Sequence, residues 1–328
     1  MPELPPLVLP PAQSRCLPWH IASWESFATL FEKQRLPHAM LLEGQPGTGR
    51  NRLGLALARF LLCSERSTEG NCGQCKTCAL SASGAHPDFL SVVPAEEGKA
   101  IGINAIREVI RFATATPTLG QYKLIVISPA ESLTTAAFNA FLKCLEEPSS
   151  ETFIVLVSAR GYPLPATIRS RCQRWQLPSP TISTASDWLA DSLSQSDLGT
   201  EGVRAMLELC GGRPLEALKR LEGEERDALL GLLHAAQEMI QRRAKSLSLE
   251  QAIAAVEPDG ALDVLETVLQ RWLRELPTEE LRTGEALRGF AALDNIGRLR
   301  AAKRSGTNPN VDLLRFSATS TLNGLWEQ

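Results

Sequence analysis

Aromatic side chains are scarce: Phe, Trp and Tyr make up 5% of 328 residues, and Tyr occurs twice. So few rings argue against a stacking platform for single-stranded nucleic acid. Charge imbalance is lacking too. The net charge is −3, so no global basic field draws the chain to nucleic acid, and any such contact must be local or shared. Long apolar runs are missing; none approaches the roughly 20 residues of a membrane helix, and no membrane partner is expected. Pro2, Pro5, Pro6, Pro10 and Pro11, with no basic segment leading into an apolar core, do not read as a signal peptide. The expected address is intracellular, the cytoplasm. There the eight cysteines read as metal ligands or buried thiols before disulfides.

What is present is ordinary soluble-protein composition, 44% apolar and 22% charged, in a chain long enough for two or three domains. Residues 1–18 are proline-rich and read as extended. Trp19 to Arg35 reads as a helix with Trp24, Phe27, Leu30 and Phe31 on one face. Apolar runs at 39–43, 88–93, 123–127 and 152–158, with 173–177 as a last candidate, read as strands. Helical patterns fall between them: 52–62, one capped by Asn104, and 132–147 stopped by Pro148. Strand and helix in alternation imply a parallel sheet with helices on both faces. After Pro178 and Pro180 the strand signals vanish and the rest reads helical. The expected division is 1–177 as an α/β domain, 178–222 as a small helical lid and 223–328 as a helical bundle.

Residues Gly44-Gln-Pro-Gly-Thr-Gly-Arg-Asn51 sit between a strand and a helix, the setting of a phosphate-binding loop. Gly44 and Gly49 fit the G-x-x-x-x-G-K-[ST] register, with Gly47 between them. The chemistry does not fit. Arg50 stands where lysine would reach the β and γ phosphates, and Asn51 where a hydroxyl would hold magnesium. The strand 123–127 ends in Ser128-Pro129 where an acidic residue would hold magnesium, and Glu131 is the first acid. A tight turn without nucleotide is the expected reading.

Cys63, Cys72, Cys75 and Cys78 place four thiols within sixteen residues. This spacing suits a closed tetrahedral zinc site, with an iron–sulfur cluster as the alternative. Cys16, Cys144, Cys172 and Cys210 are expected to be buried thiols without a base beside them. His20, His38, His86 and His234 show no metal spacing and read as core or capping residues. Arg169 and Arg171, taken alone, read as a solvated pair, and the run Arg298–Arg304 as a solvated helix face, with a nucleic-acid contact as the lesser reading.

The order of Arg35-Leu-Pro-His-Ala39, the glycine loop, the four cysteines, His86-Pro-Asp88, the segment Asn139–Pro148 and Ser170-Arg171-Cys172 resembles the clamp-loader branch of the AAA+ family. The likeness is dense over 20–177 and thins to Gly212-Arg-Pro214 and Asn308-Pro-Asn310 beyond. It implies α/β then all-α architecture: a five-stranded parallel AAA+ core with an inserted zinc module at 63–78, a helical lid, and a helical C-terminal domain joining a pentameric collar. It implies structural zinc on the four cysteines. It also implies that Arg171, with Ser170 and Cys172 as its motif, reaches into the ATP site of an adjacent subunit as a trans arginine finger. The implied partners are the tau/gamma ATPase subunits and the delta subunit, and, through the assembly, the sliding clamp and primed DNA. Polymerase activity, a nucleotidyl transfer, would belong to the assembly. Arg50, Asn51, Ser128 and Pro129 depart from the ATPase members, so no ATP of its own is expected and the chain reads as the non-hydrolysing stator. Two other readings stay open: an active ATPase that tolerates Arg50, and a zinc-dependent DNA-binding module.

Overall fold

The computed structural model describes residues 14–304, apart from 97, 148–150, 163, 194–198 and 243–246, together with residue 320. Most of the proline-rich start (1–13), Pro148 as a helix stop, and the Asn308-Pro-Asn310 echo lie outside the described residues. The chain divides into two compact units, Met1–Thr184 and Ala185–Gln328.

The first unit carries β1 (Ala39–Gly44), β2 (Phe89–Val92), β3 (Lys123–Ile127), β4 (Thr152–Ala159) and β5 (Gln173–Gln176). They form one five-stranded sheet in the order β2-β3-β4-β1-β5. Every pairing is parallel, with Leu41 opposite Leu156 and Ile125 opposite Ile154. Because side chains alternate across a strand, each central strand feeds two cores. Met40, Leu42, Leu124, Val126, Val155 and Val157 pack on α1 (Ile21–Glu32) and α2 (Arg50–Leu62). Their neighbours Ala39, Leu41, Ile125, Ile127, Ile154 and Leu156 face α4 (Ile103–Thr114), α5 (Thr135–Glu146) and the short α6 (Ala166–Arg169). Both faces are covered, so β1, β3 and β4 are buried along their whole length. That is why these strands read as unbroken apolar runs instead of alternating ones. The helix α3 (Lys76–Ala82) lies in the insertion after α2.

Two helix starts differ from expectation. Asn104 does not cap α4; the cap position is Gly102, and Asn104 instead accepts from Arg107 Nη1 at 3.4 Å. The chain is pinned just before it, where Ile101 N donates to Ser132 O (2.7 Å) and Thr134 N to Ile101 O (3.1 Å). That bridge fixes where the helix can begin. Helix α5 starts later than 132, at Thr135, because the Thr134 side chain caps it by accepting from Ala137 N. Residues 18–20 form a 3-10 turn before α1.

The regular structure described in the second unit is helical: α7 (Ile182–Ser192), which begins three residues before the boundary, α8 (Thr200–Leu209), α9 (Pro214–Glu222), α10 (Arg226–Arg242), α11 (Leu247–Ala254), α12 (Pro258–Glu275) and α13 (Gly284–Arg304). They share one core in which Leu189, Met206 and Leu207 meet Leu232, Leu265, Leu269 and Ile296. Arg300 on α13 pairs with Asp263 and Glu266 on α12, whereas Arg298 is exposed. The basic run is therefore a solvated face only in part. No described helix is long and apolar enough to cross a membrane.

Candidate functional site

The glycine loop leaves the buried end of β1 and enters α2. Gly47 and Gly49 have φ of 76° and 93°, conformations that a side chain disfavours. The turn is braced from inside: Thr48 Oγ1 donates to Gln45 O (2.7 Å), and Trp19 Nε1 donates to Thr48 O (2.7 Å). Arg50 does not point out along the loop. Its Nη1 turns back to Gly44 O at 3.3 Å. Burial lowers the guanidinium from its ordinary pKa, and the charge of Glu131 acts in the opposite direction.

The two side chains at the magnesium-ligand positions hold each other. Ser128 Oγ, just past β3, donates to Asn51 Oδ1 at 2.8 Å across 77 residues of sequence. Glu131 is engaged through one oxygen, Oε1 accepting from Ala159 N at the end of β4 (3.1 Å), while its Oε2 is buried without a hydrogen-bond partner among the described residues. An open cleft of about 750 Å³ lies over these groups, lined among others by Arg50, Asn51, Ser128, Glu131 and Tyr162. A cation site there needs oxygens aimed at a shared point. Here one candidate oxygen donates its proton to the other.

Arg171 follows α6, and its guanidinium is well occupied. Nε donates to Glu146 Oε1 at 2.6 Å, and Nη2 grips the same carboxylate. Nη1 donates to Thr167 O (2.9 Å) and Ser170 Oγ (3.3 Å). The pair stays open to solvent, with side-chain exposures of 30% for Arg171 and 46% for Glu146. Cys172 turns the other way, into the core behind α5, and burial pushes its thiol up to about 12. Within the triplet, then, Cys172 anchors the chain, Ser170 braces the guanidinium, and Arg171 stands at the surface. Glu146 was present in the sequence motif, but its pairing with Arg171 was not legible there, since 25 residues separate them.

The sulfurs of Cys63, Cys72, Cys75 and Cys78 all lie within 4.8 Å of one another. Cys63 and Cys75 sulfurs are 3.8 Å apart, Cys72 and Cys78 4.0 Å. Tetrahedral zinc–thiolate bonds of about 2.3 Å put sulfurs at about this spacing, so the residues fit a metal ion. Burial raises Cys63 to about 12. Burial also acts to raise Cys75, but hydrogen bonds from Ser64 and Thr77 outweigh it and bring that thiol down to about 5. Of the remaining cysteines, Cys144 and Cys210 are buried as expected, whereas Cys16 is only half-buried; loss of solvent raises Cys16 to about 12 and Cys144 and Cys210 to about 11, far from nucleophilic range. Three of the four histidines sit in structural roles, whereas His234 is exposed in the middle of α10 and is neither core nor cap. His38 Nε2 lies 3.0 Å from Leu145 O, His86 Nδ1 accepts from Asp88 N, and His20 is fully buried with its pKa lowered to about 4 by burial.

Comparison with known proteins supplies the context for these sites. Residues 8–181 match the family described as DNA polymerase III, delta subunit. The chain is 38% identical over 207 residues to the DNA polymerase III subunit delta' of Pseudomonas aeruginosa, covering 63% of this chain and 61% of that protein. It is 32% identical over 276 residues to the subunit delta' of Yersinia pestis, covering 84% of this chain and 78% of that one. The match to the Pseudomonas relative thus spans about three-fifths of its length. A solved structure of a DNA polymerase III gamma subunit-related protein from Thermotoga maritima superposes with a TM-score of 0.51 at 23% identity. It covers 93% of this chain and 99% of that one, a likeness of fold. With a parallel five-stranded core, helices beyond it among the described residues, and a family match over more than half its length, the chain belongs to the delta' subunit family of DNA polymerase III.

Proposed function

We propose that this chain is the non-hydrolysing stator of a clamp loader, acting in the cytoplasm in a hetero-pentamer with tau/gamma ATPase subunits and a delta subunit. The assembly loads the sliding clamp onto primed DNA, and nucleotidyl transfer belongs to the polymerase it serves. Residues 178–222 act as the lid and 223–328 as the collar domain. The observation that carries this reading is the bond between Asn51 and Ser128, beside an Arg50 folded back on Gly44. A fuel site whose cation-holding positions satisfy each other is poorly suited to magnesium–ATP. The isolated chain is expected to show no saturable ATP binding at millimolar nucleotide; saturation would favour the motor reading instead.

In this reading Arg171 is the finger offered to a neighbour's ATP. Trans arginine fingers contribute about 10³–10⁵ in rate. To reach a γ-phosphate, the guanidinium exchanges the Glu146 carboxylate for the phosphate, one charged acceptor for another. Arg171→Ala is expected to leave folding intact and to remove most turnover at the one site it serves in the reconstituted complex. Unchanged hydrolysis with clamp and primed DNA would sink the finger role. Cys63, Cys72, Cys75 and Cys78 hold structural zinc, which supplies a cross-link in place of apolar packing and leaves no open position for catalysis.

A further inference from the structure

The cysteine cluster is served by a line of polar groups, two buried and one half-buried, that its four ligands do not explain. Asn71 is 2% exposed, and its Nδ2 donates to Cys78 Sγ at 3.2 Å. Its Oδ1 accepts from Ser14 N at 2.9 Å, across 57 residues of sequence. Ser14 Oγ in turn accepts from Arg59 Nη1 at 2.6 Å, and Arg59 is itself 2% exposed. The other sulfurs draw donors from the insertion itself: Cys72 N to Cys63, Gln74 N and Cys75 N to Cys72, and the Thr77 hydroxyl at 3.1 Å from Cys75.

An amide suits the Asn71 position because it both accepts and donates. The Ser14 N–H requires an oxygen on its side, which sets the amide orientation and turns the NH₂ to sulfur. Four thiolates around a divalent cation carry a net charge of −2, expensive in a buried setting unless it is spread or matched. An N–H···S bond spreads it, and the Arg59 guanidinium sits within the Coulomb reach of Cys78.

We infer that Asn71 is a positioning residue of the metal centre, which fixes and charge-stabilises the Cys78 thiolate and is itself set by Ser14 and Arg59. The inference rests on the metal reading of the four cysteines. Outer-shell partners of metal ligands are worth 10–100-fold in affinity elsewhere.

The test uses the purified full chain. Metal content and zinc release to a chromogenic chelator are measured first on the unaltered protein; no stoichiometric metal there would defeat the metal reading itself. Given bound metal, Asn71→Leu is expected to release zinc at 10–100-fold lower chelator concentration. The sulfur-to-cobalt charge-transfer band of the cobalt-substituted protein is expected to shift, because Cys78 loses its donor. Ser14→Pro, which removes the N–H on Asn71 from outside the cysteine loop, is expected to change affinity and band in the same directions by a smaller factor, and serves if Asn71→Leu does not fold. Unchanged zinc affinity and an unchanged cobalt band in a folded variant would overturn the inference.

Discussion

Asp88 shows how a single side chain can be read from sequence as part of a motif and understood only in place. It is fully buried, and its two oxygens accept from Thr118 N and Leu119 N, each at 2.7 Å. Burial by itself would raise the carboxyl; the N–H groups of Leu119, Thr118 and Gly120 outweigh it and hold the pKa below the ordinary 3.8. A folded-state value below the unfolded one gives stability that is present above the unfolded value and lost as pH falls through the folded one. Asp88→Asn is expected to cost about 1–3 kcal/mol at pH 7, and less at pH 3, when urea unfolding of the two proteins is compared. Glu146 is the opposite case, a half-exposed partner in an ion pair worth about 0–1 kcal/mol. Glu146→Gln should leave the unfolding midpoint nearly unchanged. On the proposal that Arg171 serves a neighbour's ATP, it should raise turnover in the reconstituted complex by up to about fivefold, since the carboxylate would then compete with phosphate for Arg171. A fall in turnover would contradict that exchange.

At the scale of elements, the glycine loop and the end of β3 are joined through Asn51 and Ser128, and on the proposed non-hydrolysing reading, changing the loop alone should not create an ATPase. Arg50→Lys with Asn51→Thr returns the loop residues but leaves Ser128 where an acid is needed. That double variant is expected to gain no magnesium-dependent ATP hydrolysis by the isolated chain. Helix contacts in the second unit are close enough to test as well. A Cβ on Gly289 of α13 would lie 2.6 Å from Trp272 Cζ3 on α12, a half-buried ring packed against the helical core, and closely packed ring atoms yield little. Gly289→Ala should destabilise by about 1–3 kcal/mol, seen as a lower midpoint in Trp fluorescence. The elements themselves were largely legible in the sequence. β1, β3 and β4 announced themselves as apolar runs because both sheet faces are covered. Asn104 has the chemistry of a cap but not the place of one, because a cap is chosen by where the chain enters the helix, and here the Ile101–Leu133 bridge sets that entry.

At the scale of the molecule, the two units have separate described cores, two on the faces of the sheet drawn from residues below 178 and one from 185 onward. The cysteine cluster belongs to the first. On the proposal that these cysteines hold zinc, a strong chelator is expected to lower the calorimetric transition of the first unit and leave that of the second in place; equal shifts in both would contradict this expectation. The sequence alone determined the strands, the register of the glycine loop, the loss of its lysine and hydroxyl, and the four clustered thiols, because burial pattern and short spacing are local properties of a chain. It could not say that Asn51 bonds Ser128, that Glu146 holds Arg171, or that Asn71 links Cys78 to Ser14. Asn51 and Ser128, Glu146 and Arg171, and Asn71 and Ser14 lie 77, 25 and 57 residues apart, and the parallel order of the sheet and the packing of the insertion against the segment at Ser14 decide which side chains meet.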